Sequence, residues 1–264
     1  MRIIFLALAL LAAPVTAHEL WLEPEAYQIP SDGKLQAEIV NGEDFAGNRL
    51  SYLPRRFSRF EVVLGERVEP VENRLGARPA LDGGPLGNGL HVIVYEANTA
   101  RVSYSGLDTF QSFAEHKDFP NAIADHRARG LPETDFGEAY SRHVKALIAV
   151  GDGAGQDRRL GLETEIVALE NPYTAASDTL PVQLHYGEAP RADAQIELFE
   201  KAPDGSVTVT YHRTDAEGIA TLPIKPGHAY LVDAVVLREP AEQLAQDRDV
   251  VWETLWAALT FAVR

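Results

Sequence analysis

Gly89-Leu90-His91-Val92-Ile93-Val94-Tyr95-Glu96 is the stretch on which the fold turns. Successive side chains of a strand point to opposite faces, so Leu90, Val92 and Val94 fall on one side and His91, Ile93 and Tyr95 on the other. A strand that is apolar on both faces is covered on both, and this segment therefore predicts a central strand of a β-rich core. Two turn-forming runs, Asp82-Gly83-Gly84-Pro85 and Gly87-Asn88-Gly89, bring the chain into it.

Around it lie further short β-prone runs at residues 20–28, 34–40, 57–64 and 101–104, separated by turn residues at intervals of about ten. This spacing predicts a β-sandwich over residues 18–106. From 107 to 150 the period changes. Phe110 and Phe113 stand three apart with His116 three further on, and Glu138 precedes Arg142 by four in a segment that ends at Gly151, which predicts a helical insert over 107–150. Residues 151–158, opening with Gly151-Asp152-Gly153-Ala154-Gly155, read as a flexible linker. Alternation then resumes at 162–169, 180–186, 195–200, 207–212, 220–224 and 230–237. Thr214-Asp215-Ala216-Glu217-Gly218 forms a turn among them. Trp252, Leu255, Trp256 and Leu259 at helical spacing predict a short helical turn before a terminal strand. The expected fold is mainly β: two β-sandwich domains, 18–106 and 159–264, with the helical insert between them.

The amino terminus carries a different message. A basic Met1-Arg2, an apolar run through Ala13 and then Pro14-Val15-Thr16-Ala17 read as a secretory signal over residues 1–17, with small residues at the cleavage point. The run is about eleven residues, short of the ~20 that span a bilayer, and no later segment is apolar for long enough. The expectation is an exported protein with no membrane insertion after cleavage. The chain has no Cys, and its single Met is Met1. Disulfides, lipid attachment at a cleavage-site Cys, thiolate metal sites and iron–sulfur clusters are excluded, and export without Cys suits a bacterial periplasm. A formal charge of −15, one unit more negative once Arg2 leaves with the signal, excludes nucleic acid and anionic membranes as partners and favours cations.

Cleavage after Ala17 makes His18 the first residue, placing a free α-amine and an imidazole in one chelating unit. With sulfur absent, the donors left are imidazole, carboxylate, amine and backbone oxygen, a set suited to Ni(II), Co(II), Zn(II) or Cu(II). His91, His116, His126 and His143 precede the linker, whereas His185, His212 and His228 follow it among apolar residues on outward strand faces. If hairpin-linked strands alternate in direction, the first strand and the 89–96 strand start at one end of the sandwich, and the insert grows from the same rim. The candidate metal ligands are accordingly His18, His91, His126 and His143, with His116 left open. Each has a plainer alternative: a hydrogen-bonded strand residue for His91, a solvated helix end for His126, close packing against Ala139, Ala146 and Leu147 for His143, and simple surface for His116. There is no phosphate-binding glycine loop and no Ser in a nucleophile-elbow context, so no catalytic residue is predicted.

Several stretches carry a family likeness. His18-Glu19-Leu20-Trp21-Leu22-Glu23-Pro24, Tyr140-Ser141-Arg142-His143-Val144-Lys145-Ala146-Leu147, Gly161-Leu162-Glu163-Thr164-Glu165-Ile166-Val167 with Asn171-Pro172-Tyr173, and the closing 252–261 segment resemble a family of bacterial periplasmic proteins. That family is known partly as a domain of unknown function and partly as the periplasmic component of cobalt/nickel uptake systems. The resemblance implies two β-sandwiches, the second prealbumin-like, with Thr214–Gly218 fitting that type. It also implies nickel or cobalt handling, with His18, His91 and His143 as metal contacts and His126 behind them, and delivery to a membrane metal transporter, since this chain has no spanning helix of its own. Two other functions fit the sequence. One is an exported scaffold or adhesion module without catalysis; the other is an oxidative copper enzyme built on an N-terminal His.

Overall fold

The computed structural model describes residues 19–263, so the signal segment and His18 lie outside the described residues. The chain opens with β1 (Glu19–Pro24), β2 (Gln28–Ile29), β3 (Leu35–Glu43), β4 (Ala46–Leu50), β5 (Phe57–Leu64), β6 (Arg67–Pro70), β7 (Leu81–Gly83), β8 (Gly89–Ala97) and β9 (Ala100–Tyr104). Helices α1 (Leu107–His116) and α2 (Ala122–Ala128) precede the long β10 (Phe136–Val150). There follow β11 (Thr164–Ala168), β12 (Thr179–Tyr186), β13 (Ala189–Pro190), β14 (Gln195–Lys201), β15 (Val207–Arg213), β16 (Ile219–Pro223) and β17 (Ala229–Arg238). Helix α3 (Glu242–Arg248) and β18 (Trp252–Ala262) close the chain.

Three sheets result. A ten-stranded central sheet runs β15-β14-β17-β18-β10-β8-β5-β6, with β2 and β9 also pairing with β10. The second sheet joins β1, β3, β4 and β7, and the third joins β11, β12, β13 and β16. Leu35, Ala37 and Ile39 of β3 pack with Ile93, Tyr95, Val144 and Ile148 from one face of the central sheet. From its other face Val92, Leu147, Val232 and Leu259 pack with Leu180, Val182 and Leu184 of β12. In the outer sheets β3 and β12 bury about every second residue, as a strand with one solvated side does, whereas β8 is apolar on both faces and lies between the layers. The mainly β expectation holds. The central sheet draws β5, β6, β8 and β9 from before residue 107 and β14, β15, β17 and β18 from after residue 158, so a single sheet spans the two regions expected as separate sandwiches.

Two expectations of helix are corrected. Helices occupy 107–116 and 122–128, but residues 136–150 form β10, parallel to β18 and antiparallel to β8 and β9. Likewise 252–262 is strand β18 throughout rather than a helical turn. Both strands are buried on both faces, and a strand without a wet side shows no alternation from which to tell its period. The 151–158 segment lacks regular structure but is anchored: the Asp157 carboxylate is fully buried against Lys145 at 2.7 Å.

The β3–β4 hairpin closes as tightly as a hairpin can. Glu43 pairs with Ala46, leaving Asp44 and Phe45 as a two-residue turn with φ of 49° and 57°, the doubly positive geometry of a tight hairpin. Gly42 faces Gly47 there, and a Cβ on Gly42 would meet the Ala46 carbonyl oxygen at 2.0 Å. The turn places Phe45 edge-on against Trp21, with centroids 5.8 Å apart, and leaves Asp44 exposed.

Candidate functional site

Helix α1 buries a stripe: Phe110 and Ala114 are in the core and Phe113 packs beside them. Continuing that i, i+3, i+4, i+7 face, the next position is Lys117, immediately after the helix, so the long side chain is directed inward. The Gln195 side-chain amide donates to the His116 carbonyl at 2.9 Å and fixes this end of the helix on β14. The ammonium of Lys117, 4% exposed, donates to Glu19 Oε1 at 3.0 Å, Glu197 Oε2 at 2.9 Å and Asp233 Oδ2 at 3.3 Å. It also lies over the Trp256 ring, 4.8 Å from its centroid.

The three carboxylates come from β1, β14 and β17, and their oxygens converge within 4.8 Å of one another. Register explains the meeting of two of them: Glu197 pairs with Asp233 across β14 and β17. Glu19 is delivered by β1, whose Leu22 carbonyl accepts a hydrogen bond from the Thr260 hydroxyl at 2.7 Å. Buried carboxylates repel each other and lose hydration, so a cation must accompany them. Burial works against the charge on Lys117, but Asp233, Glu19 and Glu197 outweigh it and hold its pKa above the ordinary lysine value. Burial also raises Asp233 above the usual carboxylate range, and its Oδ1 has no hydrogen-bond partner among the described residues. Burial opposes ionisation of Glu197, yet His116 and Lys117 bring its pKa below the usual value. His116 Nε2 lies 3.4 Å from Glu197 Oε1, and that hydrogen bond raises the imidazole pKa.

A cavity of about 570 Å³ opens beside the cluster, between α1, the β3–β4 hairpin and β14–β15. Behind it the Tyr104 hydroxyl donates to Glu138 Oε2 at 2.8 Å, and Thr254 donates to the other oxygen. Burial pushes the Glu138 pKa up to about 7.

Among the described residues, His91, His126 and His143 do not converge. His91 has no exposure; its Nε2 accepts the Leu86 N–H at 3.0 Å and its Nδ1 lies 3.2 Å from the Gly89 carbonyl. His126 is equally enclosed, with Nε2 at 2.9 Å from the Pro132 carbonyl and Nδ1 accepting the Trp252 indole N–H at 3.0 Å. Both rings therefore have each nitrogen occupied. His143 sits on β10, not on a helix, and is paired with Ala257 on the face toward β12. His91, paired with Ile148, points to the opposite face of the same sheet. The first strand and the 89–96 strand belong to different sheets, so they are not the hairpin-linked neighbours that strand parity presumes. His18 lies outside the described residues, but its covalent neighbour Glu19 is in the acidic cluster, and His116, rather than His91, His126 or His143, is the imidazole found there.

Glu19, Lys117, Glu197 and Asp233 were missed. Their signals were present: an acid inside each of the otherwise apolar runs Ile196-Glu197-Leu198-Phe199 of β14 and Leu231-Val232-Asp233-Ala234-Val235-Val236 of β17, and a lysine at the i+7 position of an apolar helical stripe. No curated protein matches the chain. Residues 15–238, which include all four residues of the cluster and end before β18, match the family described as a domain of unknown function (DUF4198), and the chain belongs to it.

Proposed function

We propose that this is an exported protein, working in a bacterial periplasm, that binds a divalent transition metal ion and assists its uptake by passing it to a membrane transporter. Nickel or cobalt is the preferred cargo and zinc or copper the alternative. The observation that carries the reading is the convergence of Glu19, Glu197 and Asp233, with His116 on Glu197, directly beside the residue that signal cleavage would make the amino terminus. The chemistry of the donor set fits: carboxylate oxygens and one imidazole stand at the site, and a processed His18 would add an α-amine and a second imidazole. An incoming ion competes with the Lys117 ammonium for the same three carboxylates.

Titration of the metal alone into protein processed after Ala17 tests this. The α-amine must shed its proton from an ordinary pKa of ~7.7–8, so affinity is expected to climb between about pH 6 and 8. One extra residue ahead of His18 should weaken binding at least tenfold, a loss of about 1.4 kcal/mol. A flat pH profile together with indifference to the extension would overturn the proposal.

A further inference from the structure

The cavity beside the cluster is far larger than any bare ion. Its volume of about 570 Å³ lies inside the ~300–1,000 Å³ range of sites that hold small organic molecules. Its walls combine two chemistries. Phe113 from α1, Phe199 from β14 and Tyr211 from β15 supply aromatic surface, and Tyr211 is 54% exposed. Among the described residues, Glu19, Asp44, Asp108 and Glu197 line the same space with one ammonium, Lys117, and one imidazole, His116, so its described wall is acidic on balance. The charge of Lys117 is already shared by Glu19, Glu197 and Asp233. The protein's own treatment of an ammonium here is instructive: Lys117 is held between carboxylates and the face of Trp256. Acid and aromatic surface together are what recognises an organic cation, since ring faces attract positive charge and the acids neutralise it.

From this we infer that the cavity binds a small aliphatic ammonium compound, a mono- or diamine, with its carbon chain along Phe113, Phe199 and Tyr211 and its ammonium toward the exposed Asp44 and Asp108. Such binding uses only residues within the described chain, needs no ion, and takes a different class of ligand from the metal reading.

The experiment is calorimetric titration of the mature protein with 1,4-diaminobutane at low ionic strength, with a metal chelator present throughout and 1,4-butanediol as the uncharged counterpart. Saturable binding of the diamine, weakened by added salt, with none of the diol, is expected. The double variant Asp44→Asn/Asp108→Asn should weaken the diamine at least fivefold, and Tyr211→Ala by a similar factor. Both variants alter exposed side chains, and Asn tolerates the positive φ at position 44, so their thermal unfolding should match the parent. Equal binding of the diol, no saturable heat with the diamine, or unchanged affinity in both variants would overturn the inference. Because no free metal is present, such a failure leaves the metal reading to its own titration.

Discussion

His143 is the imidazole whose surroundings have the clearest energetic consequence. It is 3% exposed, its Nδ1 has no hydrogen-bond partner among the described residues, and burial lowers its pKa to about 4. The unfolded chain, with an ordinary histidine pKa of ~6.5, takes up the proton first. Its contribution to stability is therefore complete above pH 6.5 and is lost as the pH falls toward 4, by about 3 kcal/mol. Urea unfolding of His143→Gln against the parent at several pH values should show a shallower loss over that window; an identical slope would contradict it. His126 shows what local spacing does not reveal: its ring partner Trp252 lies 126 positions away. An acid embedded in an apolar strand, as at Glu197 and Asp233, was the legible clue, because a buried charge needs a partner wherever the chain supplies it.

β10 was the element least open to sequence reading. Ala139, Ala146, Leu147 and His143 share helical spacing, yet the segment is a strand hydrogen-bonded on both sides and covered on both faces. Its charged residues are accommodated by pairing rather than by solvent, which removes the polar stripe that would have marked an outward face. Lys145 illustrates this. Its ammonium meets Asp157 at 2.7 Å and Glu165 at 3.1 Å, and Glu165 also accepts the N–H groups of Leu160, Gly161 and Leu162. A glycine-rich composition thus suggested a loose linker where a buried ion cluster fastens the chain. Asp157→Ala leaves Lys145 with one counterion and the Ala168 N–H without its acceptor, and should cost about 3–5 kcal/mol in denaturant unfolding. A change under about 1 kcal/mol would show that the segment is not fastened there.

The β-rich class was readable across the molecule, and β3 and β12 of the outer sheets with it, because each has one wet face and alternates accordingly, whereas the short β4, β7 and β13 carry no such pattern. What sequence patterning could not convey was the sharing of the middle sheet, since parallel pairing of β10 with β18 joins segments more than a hundred residues apart. Two cores that rest on opposite faces of one sheet cannot melt independently without breaking that sheet. Calorimetry should accordingly record one transition with equal calorimetric and van't Hoff enthalpies; two resolved transitions would refute the coupling. Lys117 extends this dependence to biosynthesis. Its counterions stand 98 residues upstream and 80 and 116 residues downstream. A nascent or truncated product that stops short of β17 carries the lysine without its full complement of acids, so such a fragment cannot reproduce the cluster, and its chemistry is better dissected by point substitution in the entire polypeptide.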